Sequence, residues 1–240
     1  VSVFQATIPL GIPIESFPIA KNIIDEKVFS KLKTLGLPTS EICDDSTFLR
    51  RTSLDIAGRL PTLEETDKYL NSDNPNKRSE WIDSLLSTTD YAEFFANKWS
   101  SILRNKRKAD TYTRGTQAFH EWIRQSFHIN KPYNQFVAEL VTARGEISHN
   151  PATAWFRNVT DQKERLQDTA QVLLGVRLQC AECHHHPYEK WSQQDYYGFS
   201  AFFSRIGKKK TDMPGEEAVF HNVGLATAKN PKTGQNVKPT

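Results

Sequence analysis

From Asn22 to about Ser204 the apolar residues of this chain recur at three- and four-residue spacing, and Gly and Pro cut the pattern into helix-sized pieces. Each piece has one apolar stripe to bury, so the chain must pack helix against helix. Ile23, Ile24, Val28, Phe29 and Leu32 predict a helix over 22–35, stopped by Gly36 and Pro38. The stretch that follows reads as a helix over 45–57, a glycine-bearing stop, and a new start over 62–71, where Thr62 and Glu65 form a capping box. Further helices are expected over 76–87, from Ser87 to Leu103, and over 115–129, 132–143, 163–181 and 192–204. Within the Ser87 helix, Tyr91, Phe94, Phe95, Trp99, Ile102 and Leu103 form an aromatic stripe that reads as core.

The two ends read differently. Residues 1–20 carry β-branched runs broken by Pro9, Pro13 and Pro18, which suits an extended arm, a linker or an edge strand. After Ile206 the chain turns to Gly, Lys, Pro and Asn, with a strand expected near 217–223 and a turn at 231–234. Residues 207–240 are therefore expected to form a loop and a β-hairpin leading to a further domain beyond this chain. The fold class is mainly α: an irregular multi-helix domain over 21–206, with an extended N-terminal arm and a short β-like C-terminal segment.

Charge and composition exclude some functions. The formal net charge is only +3, so no nucleic-acid partner is indicated, and the basic runs Arg104 to Lys108 and Lys208 to Lys210 read as a solvated helix end and a solvated loop. No run of eighteen apolar residues exists, so membrane insertion is not expected and the chain reads as soluble. Its first residues lack the features of a signal peptide. Three cysteines cannot form a dense disulfide framework, and Cys43 reads as a buried small hydrophobe.

The other two cysteines lie in Cys180-Ala-Glu-Cys183-His184, the attachment pattern of a c-type haem. Two thiols add to the haem vinyl groups, and the imidazole takes an axial position on iron. Leu173, Val176, Cys180, Cys183 and His184 are three to four residues apart, so a continuing helix would present the sulfurs and the imidazole on one side, with Pro187 ending it. A zinc site using Cys180, Cys183 and His184 or His186 is the rival, but its fourth ligand would have to come from Cys43, His149 or His221. A thioredoxin-like pair is weaker, because no βαβ pattern surrounds it.

For the distal face of the iron, His120 stands on the apolar side of its helix with Phe119, Ile123 and Phe127, whereas His128 lies on the polar side. The bland reading of His120 is a core-edge histidine. Met213 is the alternative ligand, and an open sixth position would point to a peroxidase-type haem enzyme. Arg177 and Arg165 can pair with haem propionates. Trp191, with Tyr188, Tyr196 and Tyr197, can pack on a porphyrin, although ordinary core aromatics are the commoner reading. Covalent haem attachment also implies export, to a periplasmic or extracellular site.

Several separate segments carry a resemblance: Phe48-Leu-Arg-Arg-Thr-Ser-Leu-Asp-Ile-Ala-Gly-Arg-Leu-Pro-Thr, Lys98-Trp-Ser-Ser-Ile-Leu-Arg, Lys131-Pro-Tyr-Asn-Gln-Phe, and the run from Leu174 through Cys180, His184 and Trp191 to Phe199. In this order they resemble the planctomycete-type cytochrome c domain of large exported multidomain bacterial proteins. The resemblance runs from about residue 20 to the end of the chain. It implies a mostly helical domain, further domains beyond Thr240, and one covalent haem per chain at Cys180, Cys183 and His184. Phe119-His120-Glu-Trp-Ile also looks like a family feature, which favours His120 as distal ligand. The expected function is electron transfer to redox partner proteins or to neighbouring domains of the same polypeptide. A peroxidase-type enzyme and a zinc-stabilised interaction module are the alternatives.

Overall fold

Local side-chain caps set where most helices begin. Asn22 Oδ1 accepts the Ile24 and Asp25 amides at 2.9 and 3.0 Å and opens α1 (Ile23–Leu35). In this computed structural model, which describes residues 6–14, 16–107 and 113–240, α2 (Asp45–Thr52) runs on into a π turn (Ser53–Ala57). The capping box at Thr62 and Glu65 starts α3 (Leu63–Leu70), and α4 (Lys77–Leu86) follows. Thr88 caps α5 (Thr89–Ile102); α6 (Thr113–His128) and α7 (Tyr133–Val141) come next. A 3-10 turn (Pro151–Ala154) leads into the short α8 (Trp155–Asn158), then Asp161 caps α9 (Gln162–Leu173) and Ser192 caps α10 (Gln193–Ala201). The mainly α class read from the sequence is what the chain adopts.

Val1–Phe48 and Leu49–Thr240 form two units. In the first, the described arm residues form no strand, so the edge-strand expectation is not met, and residues 1–5 lie outside the described residues. The arm is held to α1 by the Leu10 amide, which donates to the Leu35 carbonyl at 2.9 Å, and by the Phe17 and Phe29 rings at 5.7 Å. Cys43 is half-buried, short of the full burial expected of it.

The second unit has two buried clusters. Ala96, Leu103, Phe119, Ile123, Phe136, Leu140, Trp155, Phe156 and Leu173 belong to one. The other joins Leu166, Ala170, Leu178, Ala181, Tyr196, Tyr197, Ala201 and Phe203 with Ala228 and Val237. Helix α9 serves both. Its remaining buried positions include Arg165, whose guanidinium donates to the Val159 and Ile206 carbonyls at 3.2 and 3.1 Å. Arg165 is thus committed to the fold and is not placed to meet a propionate, as one expectation had it.

The α5 stripe is corrected. Ala92 and Ala96 are the fully buried residues of α5, and of the six expected core residues only Leu103, just past its end, is buried, while the aromatic rings are half-buried and Ile102 is largely exposed. Two helices approach most closely over small side chains, so the alanines take the interface and the rings splay to its sides. The left-handed Gly58 (φ +70°) shows the same crowding, since a Cβ there would lie 2.2 Å from the Phe94 ring.

The C-terminal stretch contributes a three-stranded antiparallel sheet in the order β1-β3-β2, from β1 (Gly145–Glu146), β2 (Ile206–Lys210) and β3 (Glu217–His221). A smaller pair follows, β4 (Ala228–Lys229) with β5 (Asn236–Val237). The lysine run Lys208 to Lys210 is therefore strand and not loop, although Lys209 and Lys210 are exposed as expected. Its pairing with Glu217 to Val219 supplies the ladder, and Lys208 Nζ donates to the Arg157 carbonyl at 3.2 Å. The other basic run lies just past the end of α5 with Arg104, Lys106 and Arg107 exposed, as a solvated helix end should be, although Arg104 also meets the buried Asp168 carboxylate at 2.7 Å; Lys108 lies outside the described residues. No described helix is long and apolar enough to cross a membrane.

One charged junction ties three elements together. Arg59 donates through Nη1 and Nη2 to both oxygens of Glu65 at 2.8 Å, and through Nε to Asp90 on α5. The guanidinium and the Thr62 amide together hold the Glu65 carboxyl down at about 2, from an ordinary value of 4.5. A carboxylate with a depressed folded-state pKa stabilises the fold above its unfolded value and loses that contribution as the pH falls. Glu65→Gln should therefore cost about 1–2 kcal/mol at pH 7, a fall in Tm of roughly 2–8 °C. In urea unfolding curves, the gap between wild type and variant should narrow as the pH drops from 4.5 toward 2. A gap that stays constant over that range would remove this account.

Candidate functional site

The helix expected over 163–181 ends early. Its last residue is Leu173, and Gly175 at φ +69° turns the chain so that the Val176 amide reaches the Ala170 carbonyl at 3.1 Å. The motif therefore does not ride on a continuing α-helix. It sits on a separate 3-10 turn (Gln179–Glu182), with the Ala181 amide donating to Leu178 O at 2.9 Å and the His184 amide to Cys180 O at 3.3 Å.

The residues of this stretch divide between core and solvent. Residues three apart eclipse one another in a 3-10 turn. Leu178 and Ala181 are buried in the second cluster, and Cys180 and Cys183, also three apart, are both exposed free thiols. Burying the leucine side chain contributes about 1.5–3 kcal/mol toward holding the turn down.

Glu182, between the two cysteines, is the anchor that sequence reasoning missed. Its carboxylate accepts Lys163 Nζ at 2.7 Å, Gln167 Nε2 at 3.2 Å and the Tyr196 hydroxyl at 3.3 Å. Its carbonyl accepts Gln193 Nε2 at 2.8 Å and the Tyr197 hydroxyl at 3.4 Å. Helices α9 and α10 thus grip one residue of the turn from two sides. The hydrogen bond to Glu182 holds the Lys163 ammonium above its ordinary range. Burial, aided by the Glu182 charge, pushes the Tyr196 phenol well up, so it remains a donor. Burial also raises Tyr197, to which the neighbouring Cys183 contributes. Nothing in the spacing of Cys-Ala-Glu-Cys-His marks this Glu; the only sequence signal was its facing pair of polar residues, Lys163 and Gln167, four apart on α9.

His186 closes the loop behind the motif. Its amide donates to the Trp191 carbonyl at 2.8 Å and its Nε2 to the Arg177 carbonyl at 3.0 Å, while Nδ1 accepts the Glu189 and Tyr188 amides at 3.0 and 3.3 Å. Both ring nitrogens are occupied, so His186 is a clasp in this fold. His184 differs. Its Nδ1 lies 2.6 Å from the His185 carbonyl, which can only accept, so Nδ1 carries the proton and Nε2 keeps a lone pair with no partner among the described residues.

Through His186 the backbone carbonyls of Arg177 and Trp191 are tied to the chain just after the motif. Arg177 presents an exposed side chain, Trp191 packs half-buried against the second cluster, and Tyr188 is 77% exposed where core packing had been one reading of it. Tyr196 and Tyr197 are core residues, as their ordinary reading had it. His120 bonds to the neighbouring helix: its Nε2 meets Asn97 Oδ1 at 3.1 Å and Glu93 at 3.9 Å, both on α5. Met213 lies in the β2–β3 connection, on the wall of a 640 Å³ cavity shared with Arg114, Ala118, Ile147 and Glu216 and with no residue of the motif. Among the described residues no group of three or more His, Cys, Asp or Glu side chains is arranged to hold a metal ion.

Residues 23–208 match the family described as PSCyt2, Protein of unknown function (DUF1549). Comparison with curated proteins and with solved structures gave no match.

Removing the Glu182 carboxylate tests its anchoring role. Glu182→Ala should lower the local opening free energy of residues 178–184 by about 1–3 kcal/mol, speeding their amide exchange roughly 10- to 100-fold while leaving the amides of α5 and α6 unchanged. Unaltered protection of the turn would show that Leu178 and Ala181 suffice.

Proposed function

The chain belongs to the PSCyt2 family, and from that premise we propose that it is a cytochrome domain whose Cys180–His184 turn holds one covalently attached haem c for electron transfer. The observation that carries the reading is the pair of exposed thiols at an anchored turn, followed directly by an imidazole whose Nε2 is uncommitted. These donors suit that group. Cys180 and Cys183 would hold the haem through thioethers, each thiol giving its sulfur to one carbon of a vinyl group and its proton to the other, so no external oxidant would be needed.

His184 supplies the proximal nitrogen, and the His185 carbonyl on its Nδ1–H fixes the ring tautomer, as second-sphere partners of ligating histidines do. Zinc would ask more of this place than it offers, because it needs four ligands and His186 is already engaged. When bound, the haem supplies one-electron redox chemistry at iron. The chain's own residues would hold it, orient the His184 imidazole toward it and present it to a redox partner or to a neighbouring domain. Arg177, exposed beside the turn, is the candidate for a propionate, and Trp191 for contact with the ring edge. His120, with Nδ1 unengaged among the described residues, and Met213 are the two distal candidates. Export is part of the proposal, since covalent attachment takes place outside the cytoplasm.

Expressed for export with the haem-maturation machinery, the chain should carry the mass of one haem through denaturation, and the double variant Cys180→Ala/Cys183→Ala should not. A ferric spectrum should be low-spin and six-coordinate. Loss of that spectrum in His120→Ala but not Met213→Ala assigns the distal ligand to His120, and the reverse assigns it to Met213. A high-spin spectrum that shifts with peroxide points to the peroxidase-type alternative. Absence of the added mass, or one zinc per chain in its place, overturns the cytochrome reading.

A further inference from the structure

Tyr91 and Trp99, two of the α5 aromatic residues that stay out of the core, line a cleft of about 410 Å³ where α5, the end of α6 and the start of α7 meet. Its rings are Tyr91, Trp99, Phe127, Tyr133 and Phe136. Trp99 lies 5.4 Å from Phe136, 6.1 Å from Phe127 and 6.2 Å from Tyr133, and Tyr91 lies 6.2 Å from Phe127. Only Phe136 is buried; the other four rings keep surface open to solvent. Several adjoining rings left open in one concave place mark a binding site more often than a packing fault.

The polar groups narrow the ligand. The cleft offers the Tyr91 hydroxyl, the Asn130 amide and Ser126 Oγ, which donates to the Trp122 carbonyl at 2.8 Å and retains lone pairs to accept with. Its one charged group, Lys131, is bonded to Glu139 and lies over the Trp122 ring at 5.0 Å, and no carboxylate lines the cleft. An anion finds the ammonium already engaged, and a cation finds no counter-charge. What remains is a neutral molecule with an apolar face for the rings and a rim of hydroxyls for the amide and hydroxyl groups. We propose that this cleft binds a short neutral carbohydrate, with a pyranose face stacked on Trp99 and its hydroxyls met by Asn130 and Tyr91. The proposal is independent of the haem reading.

The test uses the intact chain and four probes: cellobiose, maltose, lactose and xylobiose, titrated against tryptophan emission. At least one should bind saturably, with a Kd on the order of 1 mM. Asn130→Gly removes the amide while keeping the left-handed backbone found there (φ +48°), and Tyr91→Phe removes only a hydroxyl. Each should weaken binding about 3- to 10-fold without moving Tm by more than a few degrees, and Trp99→Ala should abolish it. If Trp99→Ala fails to fold, the two milder variants still decide the matter. Tyr133 is left alone because its hydroxyl donates to the Leu173 carbonyl at 2.9 Å, which ties it to the end of α9. The proposal fails if none of the four sugars binds at about 50 mM. It fails equally if binding is indifferent to all three substitutions, or if a proline-rich peptide binds at the rings while the sugars do not.

Discussion

Helix α9 is held between two cores, and the placement of the motif follows from that. Leu173 at its C-terminal end belongs to the cluster of α5, α6 and α7, whereas Leu166 and Ala170 belong to that of α10 and the C-terminal strands. A helix buried on both sides has little freedom to rotate or slide, because any shift opens a gap in one cluster or a clash in the other. Whatever leaves its C-terminus therefore leaves from a fixed point. Gly175 then breaks the helix at that point, since only a left-handed residue lets the Val176 amide turn back to Ala170.

The turn that follows is fixed by a division of labour between adjacent residues. Leu178 and Ala181 face inward, Cys180 and Cys183 outward, and Glu182 takes five hydrogen bonds from α9 and α10. A carboxylate so well supplied with donors, at the edge of a low-dielectric cluster, costs little to desolvate and much to displace. The chemistry-bearing side chains are thereby left free to react while the backbone beneath them is not free to move. This is the arrangement a covalent cofactor site requires of its scaffold.

Much of this was legible in the order of residues. The capping box at Thr62 and the spacing of apolar positions located most of the helices because these signals act within a few residues, and the structure adds caps of the same local kind at Asn22 and Ser192. The same local reasoning failed on α9 because apolar spacing continued past Leu173, and it outweighed Gly175, a stop signal that was plainly present. It failed on the α5 stripe because periodicity tells which residues share a face, not that alanines allow the closest approach and push the aromatic rings aside. The Lys208 to Lys210 run read as loop because its strand partners, Val219 to Glu217, lie seven to eleven residues further along the chain.

The sequence by itself determined the helical class, the helix starts and the chemistry of Cys180, Cys183 and His184, since propensity, capping and side-chain identity are local properties. Only the tertiary structure decided that the motif sits on a 3-10 turn gripped through Glu182, that His186 is a clasp while His184 keeps Nε2 uncommitted, and that His120 rests against Asn97. Those outcomes depend on meetings across 9 residues for His186 and Arg177, 11 to 19 for Glu182 and its partners, and 23 for His120 and Asn97. Packing and hydrogen-bond satisfaction settle such meetings, and no short-range pattern encodes them.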